Sequence, residues 1–96
     1  MIKHIVCFKL KDHSEESKQK AKEVLLSMQG NVDTMRGIEV GTDFLCSARS
    51  YDVVLQVLLD SKEDLDIYQD DKYHCDVVKA YMHANAEASI ALDYEI

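Results

Sequence analysis

Three side chains stand out as able to move protons: His4 near the start of the chain, and Tyr68 and His74 close together in its second half. Imidazole, with an ordinary pKa of about 6.5, exchanges a proton near neutrality. A phenol beside it orients the ring or donates to a developing enolate. Such a set suits acid–base chemistry on a carbonyl compound and calls for no cofactor. His4, His13, His74 and His83 show neither HExxH nor any other metal-ligand spacing, so no metal site is expected. Asp70 and Asp71 offer oxygens to a hard cation, but adjacent carboxylates at a helix start more ordinarily serve the helix dipole. There is no Gly-rich phosphate loop, G-x-S-x-G elbow or dinucleotide fingerprint.

Period-two alternation predicts a strand over residues 1–10, with Ile2, His4, Val6, Phe8 and Leu10 on one face and Ile5 and Cys7 on the other. Ser14 is an N-cap followed by Glu15 and Glu16, and Ala21, Val24, Leu25 and Met28 form the apolar stripe of a helix ending near Gly30. Lys18, Lys20 and Lys22 read as its solvated face. A weaker strand is predicted over 37–47, with Ile38, Val40 and Phe44 as apolar members and Gly41 marking a bulge. Residues 51–60 read as a strand apolar on both sides. Ser61 with Asp64 resembles a capping box. Leu65 and Tyr68 begin a short helix, and a second helical stretch starts near Asp71 or Lys72 with His74, Val77, Val78 and Tyr81 on one stripe. His83 falls near its end, suited to the last carbonyls. Ala88, Ile90, Leu92 and Tyr94 then alternate with polar residues in a final strand.

The order βαββαβ predicts an α+β, ferredoxin-like fold: a four-stranded antiparallel sheet with helices on one face. His4 and His74 then point into the same layer, with Tyr68 one helical segment earlier. Two helices cover only one side of the sheet, yet Ile5, Cys7, Val54 and Leu58 make the other side apolar too. A second copy packed sheet against sheet is the simplest cover, and such an interface buries on the order of 1,500 Å² in total.

Ninety-six residues make one domain, residues 1–96. A net charge of −7 and pI near 4.9 repel phosphate backbones and anionic membranes, so neither nucleic acid nor a membrane is an expected partner. No apolar run is long enough to span a bilayer, and the N-terminus lacks a signal-peptide pattern. Three cysteines without metal spacing fit a reducing, cytoplasmic setting in which each acts mainly as a small apolar residue.

Four stretches carry a family likeness: Met1-Ile2-Lys3-His4-Ile5-Val6-Cys7-Phe8-Lys9-Leu10-Lys11, Tyr51-Asp52-Val53-Val54-Leu55, the segment 65–74 in which Tyr68 is followed six residues later by His74, and Leu92-Asp93-Tyr94-Glu95. Together they resemble the stress-responsive A/B barrel (Dabb) family over nearly the whole chain. The resemblance implies a dimeric α/β barrel, which agrees with the face argument. Its members include stress-induced proteins, and similar folds serve as polyketide cyclases, monooxygenases and haem-degrading proteins. In cyclase-like relatives the positions matching Tyr68 and His74 are credited with catalysis, and that of His4 lines the pocket. The chain departs from the family where a His-Pro or similar pair often precedes the final His. Here stand Asp70-Asp71-Lys72-Tyr73, and Tyr73 is expected to narrow the pocket mouth.

Two functional readings follow. In the first, a homodimeric Dabb protein binds a small apolar or aromatic ligand between sheet and helices, with no activity assigned. In the second, it is a cofactor-free enzyme, cyclase-like or monooxygenase-like, with His74 as general base, Tyr68 as acid or orienting partner and His4 as a hydrogen bonder in the pocket. The lack of a substrate-specific motif favours the first. The doubly apolar sheet makes a direct prediction: sedimentation equilibrium at micromolar concentration returns twice the chain mass, and a monomeric mass removes the second-copy argument.

Overall fold

The alternation of the first ten residues is realised in β1 (Ile2–Leu10), which becomes a central strand of the sheet in a computed structural model describing residues 1–96. The order along the chain is β1, α1 (Glu15–Leu26), β2 (Met35–Thr42), β3 (Val53–Leu59), α2 (Lys62–Asp70), a π-helical turn (His74–Lys79) running into α3 (Ala80–Asn85), and β4 (Ala86–Glu95). The sheet order is β2-β3-β1-β4 with every neighbouring pair antiparallel, as the ferredoxin-like pattern requires.

Both α1 and α2 begin at the expected serines. Ser14 Oγ accepts from the Ser17 N–H at 3.2 Å, and Ser61 Oγ from the Asp64 N–H at 3.1 Å. Ala21, Leu25 and Met28 of the first helical stripe bury against Leu55, Val57 and Leu59 of β3 and Ile2 and Leu10 of β1, forming the core of the helix-covered side. Side chains at Ile5, Cys7, Val54 and Leu58 turn to the other side, where no helix packs.

Three expectations need correction. Lys18 does not belong to a solvated face: it is 1% exposed, its Nζ donating to the Asp43 carbonyl at 3.1 Å and lying 3.6 Å from Cys46 Sγ. The loop after β2 folds over this part of α1, a long-range event that helical periodicity cannot register. Burial opposes the charge on Lys18, but the Cys46 sulfur and the Glu15 carboxylate outweigh it and raise the lysine pKa. Phe44 is likewise no strand residue, because β2 ends at Thr42 and Phe44 is 93% exposed in the loop. The irregularity in β2 falls between Met35 and Gly37, not at Gly41, which instead lets Val54 of β3 approach closely.

Asp52, part of one of the stretches that carry the family likeness, ties the start of β3 to the end of β1. Its Oδ2 accepts the Leu10 N–H at 2.7 Å and bonds to His13 Nδ1 at 2.9 Å, while its own N–H donates to the Phe8 carbonyl at 2.8 Å. A buried donor left without its acceptor is costly. Asp52→Ala is therefore expected to lower stability by about 1–3 kcal/mol in urea denaturation; an unchanged midpoint would show that solvent replaces the carboxylate without loss.

Candidate functional site

The site grows out of the C-terminal end of α2. A helix leaves its last carbonyls without partners, and these carry the negative end of the dipole. Here the following segment supplies the donors. Asp71 turns the chain out of the helix with an extended ψ of 133°, and its carboxylate accepts the His74 N–H at 3.0 Å. That does the work of a proline break in a chain that has none. The helix then restarts with a π-helical turn at His74, an expanded geometry frequent at functional sites. The Tyr68 carbonyl accepts from His74 Nδ1 at 2.9 Å, and the Gln69 carbonyl from Lys79 Nζ at 2.9 Å and the Cys75 thiol at 3.3 Å.

A bond from Nδ1–H to a carbonyl settles the tautomer of His74: when the ring is neutral, Nε2 carries the lone pair. The ring is 6% exposed. Burial holds its pKa below the ordinary histidine value. The Tyr68 carbonyl opposes that shift, while Lys79 and His4 add to it. His74 is thus a neutral base at neutral pH.

His4 enters the same layer from β1. Its Nδ1 is hydrogen-bonded to the carboxylate of Asp93, the residue directly opposite it on β4. Between the two imidazoles lies the ring of Tyr68, with centroids 5.5 Å from His4 in an edge-on arrangement and 4.3 Å from His74. Both imidazoles and the Tyr68 ring line an open cavity of about 580 Å³ between sheet and helices. Its walls are mainly apolar, with Val6, Phe8, Leu55, Val78 and Met82 inside and Lys79, His83 and Glu87 among its charged or titratable members. Neither His4 Nε2 nor His74 Nε2 has a partner within the chain, and neither is sealed off from the surroundings.

The two tyrosines stand differently from expectation. The hydroxyl of Tyr68 points away from the imidazoles into the core, where it meets Met28 Sδ at 3.7 Å. Burial, with the nearby Asp71 charge, drives its pKa well up, so it stays protonated. Its ring lines the cavity beside the imidazoles, while its hydroxyl is committed to Met28 in the core. Tyr73 is not in the cavity wall; its hydroxyl bonds to Ser27 Oγ at 2.8 Å and staples the helix break to the end of α1. No group of His, Cys, Asp or Glu residues is arranged to hold a metal, and Asp71 is occupied in capping His74. Asp93 was the residue missed. The alternation of β4 set it on the opposite face from Ile90, Leu92 and Tyr94, but only the β1–β4 register brings it to His4.

This architecture defines a ferredoxin-like α+β protein with a cavity between its sheet and its helices. A family model described as "Stress responsive A/B Barrel Domain" (Dabb) matches residues 2–96, and the chain belongs to that family. No curated protein sequence matches the chain. Among solved structures, a dimeric ferredoxin-like protein of unknown function from Bacteroides fragilis is 24% identical with a TM-score of 0.81, covering 99% of this chain and 95% of its own. Another from Thermobifida fusca is 20% identical with a TM-score of 0.84, covering 99% and 90%. The hydroxynitrile lyase of Passiflora edulis is 19% identical with a TM-score of 0.81, covering 99% and 92%. At these identities the likeness is one of fold. No helix is long and apolar enough to cross a membrane.

The depressed pKa of His74 has a stability consequence of definite sign. Between its folded value and the unfolded value of about 6.5, the unfolded chain binds the extra proton. The stabilisation is complete above about pH 6.5 and is lost as pH falls through the depressed folded value. Thermal melts across pH 5–8 are expected to show a fall on the acid side that His74→Gln reduces. An identical acid profile in both proteins would place that proton uptake elsewhere.

Proposed function

We propose that this Dabb protein is a homodimer whose cavity binds a small, largely apolar molecule bearing a carbonyl or hydroxyl group, and that His74 acts on it as a general base without a cofactor. The observation that carries the reading is the pair of imidazoles on one apolar cavity, each with Nδ1 committed and Nε2 uncommitted. Apolar walls with a few convergent polar atoms are what a small-molecule site needs. The depressed pKa leaves His74 with its lone pair available at neutral pH. His4 is the second polar contact for the ligand. Tyr68 serves through its ring face, as a platform between the imidazoles.

The dimer is supported by the uncovered side of the sheet. Ile90, Leu92 and Tyr94 of β4 lie in register with Cys7, Ile5 and Lys3 of β1, and all three are exposed in the single chain. Exposed apolar patches of this extent mark interaction surfaces. Two of the neighbours named above are described as dimeric. A third is named a hydroxynitrile lyase, and a hydroxynitrile bears a hydroxyl, one of the polar groups proposed for the ligand.

Binding and catalysis are tested separately. Titration of the ¹⁵N-labelled protein with 4-hydroxybenzaldehyde is expected to shift amide signals of Val78, Met82 and the β1 segment around His4. Silence at those positions across a panel of aryl aldehydes and ketones at millimolar concentration would end the ligand reading. For catalysis, exchange of the α-hydrogens of an aryl ketone into D₂O is expected to be accelerated by the protein. His74→Ala is expected to cost about 10²-fold or more of that rate, the usual contribution of a positioned base, with the dimer intact. Full exchange activity in that variant would remove His74 from the chemistry.

A further inference from the structure

We infer that Asp93 is the positioning residue of this site: its carboxylate sets the tautomer and direction of the His4 ring, so that Nε2 of His4 faces the ligand. This deepens the reading above and rests on it for its functional meaning. The placement follows from the sheet. Residues opposite each other in an antiparallel pair share a face, and His4 of β1 is opposite Asp93 of β4. Leu92 and Tyr94 turn to the uncovered side, so Asp93 turns to the helix side with Ser89 and Ala91, both of which line the cavity. Asp93 itself is not in the cavity wall. It holds His4 from behind.

That contact matters because His4 Nδ1 has no other acceptor. With Nδ1–H donating to the carboxylate, Nε2 is left as an acceptor for a ligand hydroxyl. If the hydroxyl proton moves to Nε2, its bonding pair stays on the ligand oxygen as the alkoxide, and the positive charge on the ring faces Asp93. An imidazole charged in an apolar layer without that carboxylate would be poorly compensated. His74, in contrast, is backed by a neutral main-chain carbonyl. The two rings therefore have unlike supports, and unlike supports are how two groups of one type take different parts in proton transfer.

The test reads the ring directly. In ¹⁵N-histidine-labelled protein, taken to a pH at which the imidazoles carry a single N–H, long-range ¹H–¹⁵N spectra are expected to show His4 with Nδ1 protonated and Nε2 unprotonated. Asp93→Ala is expected to turn it to the Nε2–H tautomer that an unrestrained histidine side chain prefers, leaving the His74 pattern unchanged, and Asp93→Glu is expected to restore the original one. Affinity for 4-hydroxybenzaldehyde is expected to fall about tenfold in Asp93→Ala, about 1.4 kcal/mol. A wild-type His4 in the Nε2–H form, or an unchanged tautomer in Asp93→Ala, overturns the inference. Should the tautomer respond while the wild-type protein binds no aldehyde, the pairing stands and the ligand reading fails. The carboxylate is partly solvent-exposed, so its removal leaves the core intact; if Asp93→Ala does not fold, the wild-type ring spectrum still decides.

Discussion

Because β1 lies between β3 and β4, each of its side chains is committed to one of two environments, and the rest of the molecule follows from that commitment. Paired on both edges, it cannot shift its register by one residue without sending Ile2, His4 and Leu10 to the uncovered side. The same alternation brings His4 into the helix layer and Ile5 and Cys7 out of it. It places Asp93 beside His4 and the apolar residues of β4 on the opposite face. Cavity wall and uncovered sheet face are thus two sides of one strand pair, and neither can change without the other.

The second support of the site is the end of α2. Its carbonyls need donors, and a chain with no proline and little glycine has no ready-made stop there. Asp71 ends the helix through its backbone and caps the next turn through its side chain. The expanded turn that follows swings the His74 ring back over the helix end. The backbone thereby fixes which nitrogen of His74 carries the proton. Sequence distance hides this economy: the six-residue step from Tyr68 to His74 looks like a paired phenol and imidazole, but it is the carbonyl of Tyr68, not its hydroxyl, that does the pairing.

Polar groups within the fold are handled by long-range contacts. Lys18 is enclosed by a loop more than twenty residues away, and Asp52 serves Leu10 and His13 from just ahead of β3. Fully buried side-chain nitrogens and oxygens are almost all satisfied, Thr34 Oγ1 being the one left without a partner. An acidic chain thus keeps an ammonium group and a carboxylate inside the fold, each with its own anchoring.

Local physics alone determined a good deal of this protein. Period-two and helical stripes, the serine caps and the doubly apolar third strand were enough for the βαββαβ order, for the helix side of the sheet, and for placing His4 and His74 in one layer. Those are short-range rules, legible in any window of ten residues. What only the tertiary structure decided is where hydroxyls, carboxylates and one lysine end. The Tyr68 hydroxyl turned into the core, Tyr73 reached Ser27, Lys18 was buried by a distant loop, and Asp93 arrived at His4 through strand register. Each outcome depends on which segment closes over which, and burial and pairing between remote residues leave no period in the sequence.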